Sequence, residues 1–130
     1  MLPFIESQFD PYAQSSTGAS GIWQFILSTA REQKLKKNWW YDGRRDIVAS
    51  TGAAYDYLTK LHSKYDDWLL AIAAYNAGPN RISKEIKKNL AKGLPTDFWS
   101  LNLPKETKAY VPKLLALVEV IKNPSKFSVD

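Results

Sequence analysis

The amino-acid sequence predicts a mainly α-helical protein. In several stretches apolar residues recur at helical spacing, and these stretches are flanked by residues that commonly begin or end helices. Nowhere do apolar and polar residues alternate over the length of a typical strand. The chain has 130 residues, the usual size of one domain, so we expect a single helical core.

The first half predicts three helices, the first two separated by a long loop. Residues 2–8 have the pattern of the last turns of a helix, and residues 10–21 are rich in Ser, Gly and Pro. Residues 25–34 suit a second helix, with Ser20 as a candidate cap. Asp46 is placed to cap a long third helix, whose predicted buried face is Ile47, Thr51, Ala54, Leu58 and Leu61.

The second half predicts a buried central helix. Residues 68–76 are apolar nearly all round, so we expect residues 68–74 to lie in the core. Asp66 or Asp67 can cap this helix, and Gly78 should end it.

Two more helices are expected after Gly78. Pro79 suits the first turn of the next helix, whose predicted shared face is Ile82, Ile86 and Leu90. Gly93 and Pro95 then break the chain, and the last helix should run from Pro104 to about residue 122. Pro112, inside it, should kink or split it.

Composition restricts the kinds of site that the chain can hold. There is no Cys, and the one His, His62, is interpreted as a surface residue because a metal site needs several donors. The net charge of +5 favours an anionic polymer, either nucleic acid or the bacterial wall, or serves solubility alone. Five Trp and seven Tyr either pack in the protein or stack on sugar rings. The longest apolar run, residues 68–75, is far below the ~20 residues of a membrane span.

Glu6 has the most unusual setting of the acidic residues. It follows the apolar residues Leu2, Phe4 and Ile5 and precedes Phe9. Because ionising a carboxyl group in apolar surroundings is costly, this setting favours the protonated form that a general acid needs. The alternative is that Glu6 lies on the polar face of an amphipathic helix.

Two other segments carry polar groups in unexpected places. Residues 15–21 combine hydroxyls with small side chains, which let a sugar approach closely and form hydrogen bonds, and Gln24 adds an amide. Residues 74–78 end the apolar helix with Tyr75 and Asn76. The second segment is either a helix C-cap or a polar wall that faces a cleft.

Four segments together resemble the soluble lytic transglycosylase family. Residues 5–11 with Ser15, then residues 18–25 and Thr29-Ala30, look like its first motif. Similar matches follow for the middle motif (residues 44–46 and 50–58), the third (residues 73–79) and the fourth (residues 103–107 and 110–113). The motifs occur in the family's order and cover nearly the whole chain. The most similar branch is the membrane-bound transglycosylase D branch, whose members often carry LysM wall-binding modules beyond this point.

The resemblance implies a lysozyme-like helical fold, with residues 1–130 as the catalytic domain. It implies that Glu6 is the only catalytic carboxylate and that no metal or organic cofactor is needed. The partner would be a peptidoglycan glycan strand and not a nucleic acid. The protein is expected to be a monomer. The implied substrate-binding residues are Ser15 and Gln24 in the glycan groove, Tyr75 and Asn76 beside Glu6, and Glu106 and Tyr110 near the cut.

The chain departs from the family's pattern in two places. The middle motif commonly has an acidic residue where this chain has Gly43, which puts a local salt bridge in doubt. Family members also have chain before Leu2, so we expect the first helix to lack its start here. A signal or lipid-anchor segment would then lie outside this chain, and the expected location is the bacterial periplasm or cell envelope, with anchoring to the outer membrane in a full-length protein.

The expected reaction cleaves the β-1,4 bond between N-acetylmuramic acid and N-acetylglucosamine and forms a 1,6-anhydro sugar. The substrate's own acetamido group and 6-hydroxyl would replace a second protein carboxylate. A goose-type-lysozyme-like hydrolase is the nearest rival, with water held by Asp10, Asp42, Asp46 or Glu106. A non-catalytic wall-binding module and a basic nucleic-acid binder are the others, although no recognised nucleic-acid motif supports the last.

Overall fold

Six α-helices account for most of the residues that the structure describes. The computed structural model describes residues 1–127. The helices are α1 (Leu2–Ser7), α2 (Leu27–Glu32), α3 (Ile47–Tyr65), α4 (Trp68–Ala77), α5 (Pro79–Ala91) and α6 (Lys105–Lys122). Short 3₁₀ turns occupy Gly43–Arg45, Phe98–Ser100 and Pro124–Phe127. Residues 1–127 contain isolated β-bridges but no strand, so the mainly α prediction is confirmed.

Most helix boundaries fall at the residues that the sequence identified. The side chains of Asp46 and Asp67 each accept a hydrogen bond from the backbone N–H three residues further on, at 2.9 and 3.1 Å. The cap of α4 is therefore Asp67 and not Asp66. Gly78 ends α4 with a φ of 92°, and Pro79 begins α5, where its missing N–H costs no helical bond.

The predicted cap at Ser20 is wrong. The helix begins later than expected, with Ile26 as the residue before its first turn. Ser20 is fully buried in the preceding loop, where its backbone forms bridges to Gln14 and Phe25. Ser20 therefore belongs to the loop, and it lies too many residues before Leu27, the first residue of α2, to cap that helix.

Pro112 does not split α6, which is continuous from Lys105 to Lys122. A proline at this position removes one helical hydrogen bond, the one to the carbonyl of Lys108. Lys108 lies on an exposed turn, so water can take the place of the missing donor.

The described chain divides into two compact units, the first of which is Met1–Tyr57. Its core combines aliphatic residues with the aromatic residues Trp23, Phe25 and Tyr57. The ring of Phe25 packs against that of Tyr57 with centroids 6.2 Å apart, and the indole N–H of Trp23 donates to the Thr51 hydroxyl at 3.0 Å. The loop after α1 is thereby attached to α3.

The second unit begins at Leu58, and α4 is its centre. This helix packs against α5, α6 and the turn at Phe98. Its buried residues are Leu70, Ala71, Ala73 and Ala74, and Leu69 and Ile72 are half-buried, so the predicted core helix is confirmed for most of residues 68–74 but not for Trp68. Trp68 is 56% exposed and stacks on His62 at a centroid distance of 4.1 Å.

The predicted buried face of α3 is wrong at its start. Ile47 is exposed, and the buried side chains of α3 include Ser50, Ala53 and Tyr57. Periodicity shows that a helix has a buried face, but small residues such as Ser50 and Ala53 can form that face where neighbouring elements come close.

The face that Ile82, Ile86 and Leu90 share on α5 is not buried along its whole length, because Leu90 is 64% exposed. Asn89 is buried in its place because its amide donates to the carbonyls of Pro95 and Ser100, at 2.8 and 3.0 Å. The chain after α5 turns back over this side of the helix. The buried Asn89 amide donates hydrogen bonds to carbonyl groups of that returning segment.

Among residues 1–127, no helix combines the length and the apolar character that crossing a membrane requires.

Candidate active site

Glu6 is the penultimate residue of α1 and is partly buried. Leu2 and Pro3 are buried and anchor the start of the helix. The next two residues after α1, Gln8 and Phe9, both have left-handed backbones with φ of 53° and 61°, and their N–H groups bond back to the helix at 3.0 and 3.3 Å. Consecutive left-handed residues other than glycine are costly, so the surrounding structure must hold this turn. Strain of this kind clusters at functional sites.

Ser7 fixes the end of α1 to the following loop. Its Oγ lies 2.8 Å from the carbonyl oxygen of Ile22 and 3.1 Å from that of Pro3, and its single proton can serve either. Ile22 is buried, so the backbone beside Glu6 is held against the core of the first unit. Ser7 is not among the predicted site residues, although it lies in the first motif directly after the glutamate.

Ser15 closes a tight turn in the loop. Its N–H donates to the carbonyl of Ala19 at 2.9 Å, and its Oγ accepts the Ala19 N–H at 3.0 Å. The same Oγ lies 3.0 Å from the hydroxyl of Thr17. Ser15 therefore shapes the loop through its hydroxyl, and its contact with a glycan stays a prediction.

Gln24 also serves the loop. Its amide nitrogen donates to the carbonyls of Gly21 and Ala13, at 2.7 and 3.1 Å, and its own backbone is left-handed with a φ of 53°. A carboxamide has a separate acceptor oxygen, which these two bonds do not use. That oxygen is the group with which Gln24 could meet a sugar hydroxyl.

Arg44 holds the same loop from the other side. Its guanidinium is buried and pairs with Asp42, with Nη2 2.7 Å from Oδ2, and it donates to the carbonyls of Gly18 and Phe25 at 2.9 and 3.1 Å. The hydrogen bond from Arg44 holds the pKa of Asp42 below its usual value, against the opposing effect of burial. Gly43 cannot form a salt bridge at its position, but the neighbouring Asp42 forms one with Arg44.

Two glycines allow this arrangement. A Cβ on Gly43 would lie 2.9 Å from the carbonyl oxygen of Lys36, so an acidic side chain does not fit at this position. Gly21 has a φ of 84°, and a Cβ there would overlap the backbone carbonyl of Arg44. The loop and the segment around Arg44 therefore approach each other more closely than residues with side chains would allow.

Asn76 and Thr107 meet in the second unit although they are 31 positions apart. The Thr107 hydroxyl donates to Oδ1 of Asn76 at 2.8 Å, and Thr107 is almost completely buried. This bond joins the end of α4 to the first turns of α6. Tyr75, the preceding residue, is partly buried. Sequence reasoning missed Thr107, because a polar residue at the end of a helix indicates that a partner exists but not which residue it is.

The two remaining predicted binding residues lie on α6 and differ in exposure. Glu106 is exposed in the first turn of α6, where the helix dipole favours an acidic residue. Tyr110 is buried, so little of its ring is open to a ligand. In residues 1–127, no group of three or more His, Asp or Glu side chains could hold a metal ion.

Comparison with known proteins gives one matching family model, "Transglycosylase SLT domain", which covers residues 1–96. The first three predicted motifs lie inside this range and the fourth, with Glu106 and Tyr110, lies beyond it.

Several curated proteins are similar over most of the chain. The chain is 54% identical over 130 residues to the membrane-bound lytic murein transglycosylase D of Escherichia coli (strain K12), covering 99% of this chain and 29% of the relative. It is 34% identical over 105 residues to the membrane-bound lytic murein transglycosylase F of Desulfosudis oleivorans, covering 74% and 21%. It is 35% identical over 125 residues to the peptidoglycan transglycosylase gp16 of Escherichia phage T7, covering 95% and 9%. The chain thus spans less than a third of the length of each of these relatives.

Proposed function

The chain belongs to the transglycosylase SLT domain family, whose fold is lysozyme-like and helical, and from that premise we propose that it cleaves peptidoglycan glycan strands without water. The bond cleaved is the β-1,4 bond between N-acetylmuramic acid and N-acetylglucosamine. Residues 1–130 act as the catalytic domain, Glu6 is the catalytic residue, and the product ends in 1,6-anhydro-N-acetylmuramic acid.

In this reaction Glu6 acts first as an acid and then as a base, and the two steps move two different protons. Its protonated carboxyl donates to the glycosidic oxygen as the bond to C1 breaks, and the acetamido group of the sugar stabilises the positive charge at C1. The Glu6 carboxylate then removes the proton from the 6-hydroxyl, whose oxygen bonds to C1. Glu6 ends in its starting state, and the intramolecular attack gains from high effective molarity.

The observation that carries the proposal is the way in which the protein holds Glu6. The residue before the left-handed turn is Ser7, which is bonded to Ile22, so the backbone on the C-terminal side of Glu6 is fixed. A carboxyl group that donates and then accepts a proton must keep its position between the two steps. A fixed helix end next to a hydroxyl-bearing loop suits that task.

The hydrolase alternative needs a second carboxylate to hold a water, and two of its candidates have other roles. Asp42 is paired with the buried guanidinium of Arg44, and Asp46 accepts the N–H of Ala49 and the hydroxyl of Tyr41. Asp42 and Asp46 are therefore poorly placed to become the base that activates water, which leaves the exposed Asp10 and Glu106 as the carboxylates that a hydrolase would need. A non-catalytic wall-binding module is disfavoured by the presence of Glu6 in this fixed setting.

The partner and the location follow from the same proposal. The monomeric chain would bind glycan strands of the bacterial cell wall in the periplasm. Ser15, Gln24, Tyr75, Asn76, Glu106 and Tyr110 would bind or orient the glycan. Their roles come from the family's pattern, in which Tyr75 would orient the carboxyl group of Glu6.

The test is substitution of Glu6 by the amide of the same shape. Glu6→Gln should lower the release of soluble fragments from purified peptidoglycan by about 10²–10⁴-fold, the usual contribution of a general acid–base group. Glu32→Gln removes an exposed glutamate of the same unit, at the end of α2, and serves as the matched control. Near-parental release by Glu6→Gln would reject Glu6 as the catalytic residue, and an equal loss in Glu32→Gln would show that the effect is not specific.

A further inference from the structure

Trp39 and Trp40 are the most exposed aromatic pair in the first unit, and the function proposed above does not use them. Trp39 is 91% exposed and Trp40 is 78% exposed, with their ring planes 80° apart and centroids at 6.3 Å. Exposing two adjacent indoles to water forgoes a large burial free energy, so such a patch indicates an interaction surface.

Hydrogen bonds within the loop hold the backbone that presents these indoles. Asn38 Oδ1 accepts the N–H groups of Trp40 and Tyr41 at 3.2 and 2.8 Å, and the Asn38 N–H donates to the carbonyl of Tyr41 at 2.8 Å. Below the tip, Lys37 and Asp42 form a β-bridge. The indoles themselves make none of these bonds, so the loop of residues 36–42 holds both rings outward by its own hydrogen bonds.

A recess of about 520 Å³ lies beside Trp39. It is lined by Leu27, Arg31, Leu35, Lys37, Asn38 and Trp39. Residues 31–37 contain four basic side chains and one acidic side chain, and the nearby carboxylate of Asp42 is already paired with Arg44. The recess thus places a flat apolar ring next to an amide and uncompensated positive charge.

We propose that the loop of residues 36–42 and this recess form a second glycan-binding site, for N-acetylated sugar rings that carry carboxylates. The C–H face of a pyranose ring stacks on Trp39 or Trp40, Asn38 offers hydrogen bonds, and Arg31 and Lys37 attract the carboxylates. The peptidoglycan strand, with its lactyl and peptide carboxylates, has this chemistry, so the choice of ligand rests on the proposed function. A bilayer is the poorer occupant, because inserting Trp39 would bring the charged and amide groups of the recess towards the apolar phase.

Binding is measured without cleavage, on the Glu6→Gln protein and purified insoluble peptidoglycan, by sedimentation. Trp39→Ala/Trp40→Ala should weaken binding by about tenfold or more, because a stacked aromatic contact has a free energy comparable to one factor of ten in Kd. Trp39→Phe keeps a flat ring and should recover part of the loss. Trp99→Ala removes an exposed indole of the second unit and should bind as the parent does.

Three results would overturn the second site. They are parental binding by the double variant, an equal loss in Trp99→Ala, and a blue shift of tryptophan fluorescence with anionic phospholipid vesicles that peptidoglycan fragments do not produce. The last would identify the loop as a membrane contact. Failure of the proposed function is a separate result: products without 1,6-anhydro ends would reject that function while weakened binding by the double variant still supported the second site.

Discussion

The buried guanidinium of Arg44 forms an ion pair with the carboxylate of Asp42. The same guanidinium also donates hydrogen bonds to two carbonyl groups of a loop that is distant in the sequence. The pair itself is 2.7 Å long, and the carbonyls belong to Gly18 and Phe25. The loop after the candidate catalytic helix is therefore fixed by an interaction from the segment before α3. Its shape depends on that guanidinium as much as on its own turns.

Removing the guanidinium should destabilise the protein strongly. Arg44→Ala leaves Asp42 without its partner and two loop carbonyls without donors, and breaking a buried pair costs about 3–5 kcal/mol. Arg45→Ala is the matched control. Arg45 is exposed, with a single 3.3 Å contact to Ser20, so its loss should cost about 1 kcal/mol or less. Urea unfolding gives both values, and equal stability of the two variants would contradict the role given to Arg44.

Gly21 should tolerate no side chain. Gly21→Ala places a Cβ against the carbonyl of Arg44 at a left-handed backbone position, and we expect a loss on the order of 3 kcal/mol or more. Gly18→Ala separates the two causes: Gly18 also has a positive φ but has open space around it, so only backbone strain of about 1 kcal/mol applies.

Gly52→Ala supplies the opposite control to Gly21→Ala. Gly52 lies inside α3 and is exposed, with nothing near a built Cβ, so alanine should stabilise the helix by about 0.5–1 kcal/mol. Thermal unfolding of the three variants should therefore rank Gly52→Ala first, Gly18→Ala second and Gly21→Ala last. Unchanged stability in Gly21→Ala would show that the loop does not need its close approach to Arg44.

Tyr75→Phe tests the role that the family's pattern assigns in the second unit. If the Tyr75 hydroxyl orients the catalytic carboxyl group, its loss should lower kcat more than it changes KM, because it acts in the transition state. Tyr12→Phe removes the hydroxyl of an exposed tyrosine and should change neither constant. An unchanged kcat in Tyr75→Phe would leave Tyr75 with a packing role alone.

The sequence predicted the boundaries of α3 to α6 well because they depend on local chemistry. Asp67 caps α4 through a bond to its own first turn, and Gly78 ends it with a backbone that other residues rarely adopt. Burial was harder to predict, since it depends on neighbours distant in the chain. Asn89 is buried and Leu90 is exposed because the chain returns over one side of α5.

The candidate site shows the same division between local and distant causes. Glu6 is distinguished by its apolar neighbours in sequence, and it lies next to Ser7, which is hydrogen-bonded to Ile22. Its catalytic role stays a prediction. The supports of the site could not be predicted, because the partners of Arg44 and Asn76 lie 19 to 31 positions away. Gly43 is an example of a distant cause. The absence of a side chain at Gly43 leaves room for the backbone of Lys36, and the neighbouring Asp42 forms an ion pair with Arg44.

The most direct test of the proposed chemistry is digestion of purified peptidoglycan in ¹⁸O-labelled water, followed by mass spectrometry of the products. If the 6-hydroxyl of N-acetylmuramic acid attacks C1, each new terminus is a 1,6-anhydro sugar, lighter by one water than the hydrolytic product and without a reducing end. These termini should carry no label, and Glu6→Gln should abolish them. Labelled reducing ends as the main product would contradict the lyase reaction and identify a hydrolase that uses the same glutamate.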